Sequence, residues 1–302
     1  MATAEHNSQP VYWGGLEKLP DMDGAQFDQW VALLHDRTGM NMPPERKSFL
    51  MTSVGLRMRE VGYEDYQSYY EYLTSGQAGA VEWTALVDRL TVHETRFFRD
   101  PRAVEFLRQH WLPGAIERAG NGETVQLWSA GCSTGEEPFT LAMVLDEAFL
   151  AERIRGYYAI TATDISLYSL ATGKEAAYPA RRLNNIPEPY RSAYCEPLDG
   201  GGFRIMERLR RRTCFAFMNL LEVRHAPLAP MDLIYCQNVL IYFDRERREQ
   251  ILNGLVRHLR VGGLLVLGAG EMIGWSHPQM MRVADTDVLA FRREADQARV
   301  RL

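Results

Sequence analysis

The chain has 302 residues, of which 46% are hydrophobic and 24% are charged. This is the composition of an ordinary globular protein, with length for one large domain or two smaller ones. A formal net charge of -5 argues against a general nucleic-acid-binding protein. The four cysteines show no CxxC spacing, which argues against a disulfide framework or a zinc site, and we predict no metal ligands.

The N-terminus and the apolar runs bear on location. The first residues are polar and show no signal-peptide pattern. The longest strongly apolar run, Leu264 to Leu267, is far too short to span a membrane. The sequence therefore predicts a cytoplasmic protein without membrane insertion.

Residues 23–90 carry four amphipathic patterns and predict an all-helical domain, preceded by a flexible arm over residues 1–22. One predicted helix carries a group of basic residues: Arg46, Lys47, Arg57 and Arg59. Such a group is either a solvated helix face or a docking face for an acidic partner.

Residues 91–101, TVHETRFFRDP, form a predicted linker between two domains. Phe97 and Phe98 are adjacent aromatics flanked by Arg96 and Arg99, and we expect one of the rings to enter a core. The arginines are either solvated charges or groups that hold a carboxylate at the domain seam.

Residues 125–138 read VQLWSAGCSTGEEP. An apolar run leads into a turn of small residues and then into a helical pattern, which is typical of the first half of a nucleotide-binding crossover unit. Gly131 lets the backbone turn sharply after the strand, and Gly135 permits either close approach to a ligand or tight helix packing. A capped helix after a buried strand, without a ligand, has the same pattern.

Glu136 and Glu137 occupy the first turn of that helix, where carboxylates interact favourably with the helix dipole. A loop built for pyrophosphate leaves this position free for anions, so a diphosphate would be repelled here. A ligand with a cationic centre, an amino group and a ribose but no phosphate would not be repelled. S-adenosylmethionine has this chemistry and is the cofactor that the loop favours.

The second predicted strand, residues 157–163, is followed by Asp164. In dinucleotide-type sheets, an acid at this point accepts hydrogen bonds from ribose hydroxyls. Asp164 could instead be the N-cap of the next helix. The glycine turn upstream favours the ribose role.

Further strands are predicted at residues 214–218, 231–236, 264–267 and 287–291. Between residues 174 and 213, prolines and a glycine turn interrupt the alternation and predict an inserted β-subdomain at about 178–213, with strand character over residues 203–213. The predicted fold class is α/β: residues 102–302 form a mixed, doubly wound, Rossmann-like sheet that follows the all-α domain.

Several segments together resemble the chemotaxis receptor methyltransferase family, the CheR-type protein-glutamate O-methyltransferases of bacteria. They are TRFFRDP, WSAGCSTGEEPFTLAM, TATDIS, FMNLLE and CQNVLIYFD. The resemblance covers the chain from about residue 24 onward. It implies a class I S-adenosylmethionine-dependent methyltransferase that esterifies glutamates on the cytoplasmic helices of a methyl-accepting chemoreceptor. One branch of this family serves pilus-linked chemosensory systems.

The resemblance also implies roles for single residues. The residues that it places at the cofactor are His93, Thr95, Arg99, Gly131, Glu137, Asp164, Asn219, Leu220, Gln237 and Asn238. Arg99 and Tyr242 would flank the methyl transfer as catalytic residues. The receptor would dock through the basic helix and the inserted β-subdomain.

Two positions depart from the family pattern. His93 stands where asparagine is common and can still form hydrogen bonds. Gln237 stands where arginine is common and removes a fixed charge beside the cofactor, so a cofactor-binding regulator without catalysis is the alternative function. A nicotinamide-dependent oxidoreductase fits less well, because the loop lacks the GxGxxG spacing.

Overall fold

The computed structural model describes residues 19–272, 274–284 and 287–295. Most of the predicted N-terminal arm, residues 1–18, lies outside this range. The described end of the arm contacts the helices that follow, since Met22 is buried in their core and the Leu19 side chain lies against Gly55.

Four helices form the N-terminal part: α1 (Gly24–Thr38), α2 (Lys47–Glu60), α3 (Tyr66–Thr74) and α4 (Gly76–Leu90). Asp23 and Gln26 form a capping box at the start of α1, and Gly39 ends this helix with a φ of 74°. Trp30 and Tyr69 belong to a buried cluster that the four helices share. The prediction of an all-α N-terminal domain is confirmed.

The rest of the chain is an α/β domain. Its helices are α5 (Pro101–His110), α6 (Leu112–Gly120), α7 (Glu136–Ala151), α8 (Leu167–Glu175), α9 (Glu188–Tyr194), α10 (Glu207–Arg210) and α11 (Arg245–His258). Its strands are β1 (Thr124–Ala130), β2 (Tyr157–Asp164), β3 (Ala177–Tyr178), β4 (Cys195–Pro197), β5 (Phe203–Ile205), β6 (Thr213–Phe217), β7 (Met231–Cys236), β8 (Leu259–Leu267), β9 (Met280–Arg282) and β10 (Leu289–Arg293). Within the described ranges, none of the helices is both long enough and apolar enough to cross a bilayer.

One predicted helix is in fact two. The sequence predicts a single helix over residues 102–119, but α5 and α6 meet at Trp111. Pro113 lies in the first turn of α6, where its missing N–H costs little, whereas within a longer helix it would break the hydrogen-bond ladder.

Seven strands form the main sheet in the order β6-β2-β1-β7-β8-β10-β9. The strands from β6 to β8 are parallel to their neighbours, and β10 and β9 extend the sheet in antiparallel orientation. The chain runs outward from β1 to β6 and then returns to the other side of β1 with β7. Such a reversal opens a crevice at the carboxyl ends of the strands. The predicted mixed, doubly wound sheet is confirmed, with β9 as an additional edge strand.

Alternate residues of the central strands enter two different cores. Leu127 of β1 and Leu233 of β7 belong to the cluster that contains α5, α6 and α7. Their neighbours Trp128 and Ile234 belong to the cluster that contains α11. Both faces of the sheet are therefore covered, as parallel strands require.

The inserted segment forms its own antiparallel sheet in the order β3-β5-β4. Strands β4 and β5 pair on either side of the glycine turn, as the sequence predicts. The predicted strand character of residues 203–213 is wrong for residues 206–212, because α10 begins at Glu207 and the next strand, β6, begins only at Thr213. Phe203 and Ile205 are buried in the same cluster as α7, so the insert packs against the main domain.

Candidate active site

A deep cleft opens where the carboxyl ends of β1, β2 and β7 meet the helical domain. Its space is about 1310 Å³ when the solvent at its open mouth is included. We call the side formed by residues 131–137 and Asp164 the strand-end wall. We call the side formed by residues 38–46, the linker and residues 237–243 the seam wall.

The cleft brings together nearly all of the predicted site residues. Those that line it are Thr95, Arg99, Gly131, Glu137, Asp164, Asn219, Leu220, Gln237, Asn238 and Tyr242. His93 is not among the lining residues. Its Nε2 atom lies 2.8 Å from the Asp88 carbonyl oxygen and its Nδ1 atom lies 2.8 Å from the Ser169 hydroxyl. His93 thus joins the linker to α8, and both of its ring nitrogens are engaged by these protein groups.

The glycine loop is built by close packing. Gly131 has a φ of 80°, and its N–H donates to the Thr163 carbonyl at 2.8 Å. A Cβ at Gly131 would lie 2.3 Å from a Val239 methyl group, so the loop after β7 rests directly on this glycine. A Cβ at Gly135, where φ is 95°, would lie 3.0 Å from the Tyr178 hydroxyl. Of the two roles predicted for Gly135, tight packing is the one observed.

The two acids of the loop point in different directions. Glu136 is 1% exposed and forms an ion pair of 3.5 Å with Arg182 of the insert. Glu137 lines the cleft and accepts a hydrogen bond of 2.7 Å from the Ser129 hydroxyl. Burial raises the pKa of Glu137 to about 8. A cation beside this side chain would therefore favour its ionised form.

Asp164 completes the strand-end wall. Its Oδ2 atom accepts from the Ser133 N–H at 2.8 Å, and its Oδ1 atom accepts from the Ser166 N–H at 2.9 Å. The N-cap of α8 is Ser166, whose hydroxyl accepts from the Ser169 N–H, so the alternative that Asp164 is the N-cap is wrong. Each carboxylate oxygen has a second lone pair, so Asp164 can also accept from the hydroxyls of a ligand.

The linker is fixed by an aromatic ring. Phe97 is 1% exposed, and its ring lies 5.0 Å from that of Tyr178, which confirms that one of the two aromatics enters a core. Arg99 donates from Nη1 to the Glu94 carbonyl at 2.8 Å. A guanidinium has five N–H donors, so Arg99 can bind a carboxylate as well.

The seam wall has more cationic than anionic side chains. Arg46, Arg96 and Arg99 line it together with two acids, Glu94 and Asp100. Asp100 is also the N-cap of α5 and accepts two backbone N–H groups. The seam wall is therefore suited to an anionic group, in contrast to the strand-end wall.

The loop after β7 carries the remaining predicted residues. Gln237 is 7% exposed and donates from Nε2 to the Leu267 carbonyl at 3.4 Å. Asn238 has a φ of 60°, which is unusual for a residue other than glycine. Burial raises the pKa of Tyr242, while Arg99 lowers it. The phenol therefore lies within electrostatic reach of the linker arginine.

Asn219 connects the sheet to the helical domain. Its Nδ2 atom donates to the Arg37 carbonyl at 2.7 Å, and its Oδ1 atom accepts from the Leu221 N–H at 3.1 Å. The side-chain amide thus holds the end of α1 at the cleft, and Leu220 lies beside it with 7% exposure.

Two features of the cleft are not predicted from the sequence. Met40 and Asn41 follow α1 and reach the cleft because Met40 pairs with Phe243 across the seam. Their segment carries no ligand-binding motif. Glu271 is completely buried behind the loop after β7. In the sequence, an acid shortly after a strand is only a weak indication of a role at the site.

Comparison with known proteins agrees with this geometry. The model of the CheR methyltransferase all-alpha domain matches residues 25–91, and that of the CheR methyltransferase SAM binding domain matches residues 93–290.

The chain belongs to the CheR methyltransferase family.

Its relatives in this family span most of its length. The chemotaxis protein methyltransferase of Klebsiella aerogenes is 33% identical over 273 residues, which are 89% of this chain and 90% of the relative. That of Borreliella burgdorferi is 30% identical over 250 residues, 82% of this chain and 88% of the relative. That of Escherichia coli is 30% identical over 253 residues, 83% of this chain and 85% of the relative.

This CheR methyltransferase uses S-adenosylmethionine, the ligand of its matched domain. The strand-end wall suits that ligand chemically, because Glu137 and Asp164 can accept from its amino and hydroxyl groups. The Ser133 hydroxyl oxygen is buried and has no hydrogen-bond partner among the described residues, so it is a further polar group at this wall that a ligand can satisfy. The predicted family and cofactor are confirmed.

Proposed function

We propose that this CheR methyltransferase esterifies glutamate side chains on the cytoplasmic helices of a methyl-accepting chemoreceptor. The observation that carries the proposal is the division of charge in the cleft. The carboxyl groups of Glu137 and Asp164 line the strand-end wall, whereas on the seam wall three guanidinium groups outnumber the carboxyl groups of Glu94 and Asp100. A cationic methyl donor suits the first wall and an anionic acceptor suits the second. The reaction takes place in the cytoplasm.

The cofactor contacts in this proposal follow the cleft. Glu137 binds the amino group of the methionine end, and Asp164 binds the ribose hydroxyls. Thr95 and Arg99 contact the methionine end from the linker. The remaining contacts come from Gly131, Asn219, Leu220, Gln237 and Asn238, all of which line the same space.

Methyl transfer to a carboxylate requires the protein mainly to orient the reacting atoms. When bound, S-adenosylmethionine would supply a methyl carbon on a sulfonium sulfur, which would keep the electron pair of the broken carbon–sulfur bond and leave as a neutral thioether. The acceptor glutamate has an ordinary pKa of about 4.3 and is already ionised at neutral pH, so its oxygen bonds to the methyl carbon without loss of a proton. Arg99 and Tyr242 hold that oxygen in line. Orientation of this kind supplies roughly 7–11 kcal/mol in favourable cases.

Receptor docking involves fewer basic residues than the sequence suggests. Arg57 forms ion pairs of 2.7 Å with Glu82 and 3.2 Å with Glu60, so its charge is already compensated within the helical domain. Arg46 lines the mouth of the cleft instead. We propose that Arg46 meets the acidic receptor helix, and that the inserted β-subdomain supplies a second contact.

Labelled methyl transfer tests the proposal. The protein is incubated with methyl-tritiated S-adenosylmethionine and the cytoplasmic fragment of a chemoreceptor, and the label is then treated with alkali. We expect label that is released as methanol and that maps to glutamate residues. Arg99→Ala should reduce the rate roughly tenfold to hundredfold, because a hydrogen bond to a charged group contributes about 1.5–3 kcal/mol.

Arg102→Ala is the matched control, since Arg102 is an exposed arginine three residues further along the chain. It should leave the rate unchanged. Alkali-stable label would indicate methylation of nitrogen and contradict the proposal. So would an absence of transfer by a protein that binds S-adenosylhomocysteine normally.

A further inference from the structure

Glu271 is a buried carboxylate whose oxygens bind backbone groups. It is 0% exposed and lies in the loop after β8. Its Oε1 atom accepts from the N–H groups of Val239 at 2.7 Å and Leu240 at 2.9 Å, and its Oε2 atom accepts from that of Gly268 at 2.6 Å. Burial raises the pKa of Glu271, and these N–H groups together with that of Asn238 lower it. Among the described residues, no cationic side chain forms an ion pair with this carboxylate.

A buried carboxylate of this kind destabilises the folded protein unless its hydrogen bonds offset the free energy lost on burial. Burying a carboxylate without a cation costs several kcal/mol, which several N–H donors must offset. The main core does not need this group, because apolar side chains of similar size could fill the same volume. Two of the donors that Glu271 binds, Val239 and Leu240, are consecutive residues at the start of one loop. The carboxylate therefore fixes the position of that loop.

Arg248 of α11 holds the other end of the same loop. Its Nε atom donates to the Phe243 carbonyl at 2.8 Å, and its Nη2 atom lies 3.5 Å from the Ile241 carbonyl. Its Nη1 atom donates to the Glu271 carbonyl at 3.0 Å, which links the two holding residues. One side chain thus binds N–H groups at the start of the loop, and the other binds carbonyl groups at its end.

The segment between these contacts carries Asn238 and Tyr242. Asn238 has a φ of 60°, a conformation that costs of order 1–3 kcal/mol and persists only when the surroundings impose it. Tyr242 is the last residue of a short 3₁₀ helix, Leu240–Tyr242, and Glu271 accepts from the N–H groups of its N-cap, Val239, and of its first residue, Leu240. Because both anchors bind main-chain atoms, the side chains of Asn238 and Tyr242 stay available to the cleft.

We propose that Glu271 and Arg248 are positioning residues for methyl transfer, which fix residues 238–243 and thereby aim the Tyr242 phenol at the reacting groups. The inference rests on the proposed function, since it requires Tyr242 to lie at the methyl-transfer centre. A displacement of about 1 Å in a catalytic group can cost roughly a hundredfold in rate. Loss of either anchor should therefore affect turnover far more than cofactor affinity.

The test compares Glu271→Gln and Arg248→Lys with the wild type. Glu271→Gln keeps the shape but replaces one acceptor oxygen by a donor, and Arg248→Lys keeps the charge but loses the three-way contact. We expect kcat to fall by up to about tenfold in Glu271→Gln, which is the loss expected from removing the phenol hydroxyl itself, and by less in Arg248→Lys. The Kd for S-adenosylhomocysteine should change by less than about threefold, and hydrogen exchange should accelerate selectively in residues 237–243.

Glu249→Gln is the matched control, because Glu249 lies on α11, the helix of Arg248, and forms an ion pair with Arg245 at the surface. It should change neither the rate nor the exchange. Should Glu271→Gln fail to fold, Arg248→Lys gives the same comparison with the carboxylate intact. Unchanged exchange in residues 237–243, or faster exchange with wild-type kcat, would overturn the proposal.

A double-mutant cycle separates positioning from general destabilisation. If Glu271 acts through the phenol, Glu271→Gln should cost much less in a Tyr242→Phe background than in the wild type. Additive losses would mean that Glu271 acts in another way and would overturn the proposal. Failure of the proposed function is distinguishable, because the wild type itself would then transfer no methyl group to the receptor fragment.

Discussion

The two walls of the cleft are built in different ways. The strand-end wall comes from residues 131–137 and Asp164, held by hydrogen bonds within one strand–helix–strand unit, β1 to β2. The seam wall joins segments about two hundred residues apart: the Asn41 N–H donates to the Tyr242 carbonyl at 2.8 Å, and His35 lies 3.0 Å from Asp244. Donor binding should therefore depend on local structure, and acceptor placement on the docking of the helical domain.

Asp164→Ala is the variant that should distinguish the functions of the two walls most strongly. This change removes the proposed acceptor for the ribose hydroxyls and the contact that holds the Ser133 N–H. We expect the Kd for S-adenosylhomocysteine to rise roughly tenfold to hundredfold, since hydrogen bonds to a charged group contribute about 1.5–3 kcal/mol. Isothermal titration calorimetry measures this change.

Ser166→Ala is the control for Asp164→Ala. Loss of the N-cap of α8 should lower the free energy of unfolding by about 0.5–2 kcal/mol and leave cofactor affinity unchanged. If the two variants weakened cofactor binding equally, Asp164 would have a structural role and not a binding role.

Tyr242→Phe, on the seam wall, should have a smaller effect, and this effect should be on turnover and not on cofactor affinity. The phenol hydroxyl is lost while the ring is kept, so we expect kcat to fall about tenfold, within the range for one misplaced or missing hydrogen bond. The Kd for S-adenosylhomocysteine should stay within about twofold. Tyr168→Phe, at a tyrosine that is 66% exposed, should have no effect. Equal kcat in Tyr242→Phe and the wild type would remove Tyr242 from the mechanism.

The same division explains what the sequence could predict. Gly131, Glu137 and Asp164 are signalled locally, because a strand, a glycine turn and a helix start fix their places without reference to the rest of the chain. The parallel strands are equally local, since their apolar runs are short and regularly spaced. For these parts the sequence was a sufficient guide to the fold and to the strand-end wall.

The seam wall depends on packing that no local pattern encodes. Met40 enters the cleft because it pairs with Phe243, and Glu271 matters because the chain folds back behind the loop after β7. His93 has a side chain of a type that often binds ligands, yet its neighbours Asp88 and Ser169 engage both of its ring nitrogens. The domain boundaries drawn at residues 23, 91 and 102 stay predictions.

The central claim is that a carboxylate on the strand-end wall binds the ammonium group that the methyl donor shares with its product, S-adenosylhomocysteine. Burial raises the pKa of Glu137 from 4.5 to about 8, so most of this side chain is protonated at pH 7 in the free protein. Because the pKa of Glu137 is higher in the folded protein than in the unfolded chain, protonation of this group stabilises the folded protein. The stabilisation is complete at pH values below the unfolded pKa of 4.5 and is lost as pH rises through about 8. Binding of a cation favours the ionised form and must release the proton.

Calorimetric titration of S-adenosylhomocysteine at pH 7, in buffers of different ionisation enthalpy, measures that proton. We predict release of close to one proton by the wild type, with affinity that rises toward pH 8, and no such release by Glu137→Gln. The same proton count in both proteins, or an affinity that does not change with pH in the wild type, would contradict the account.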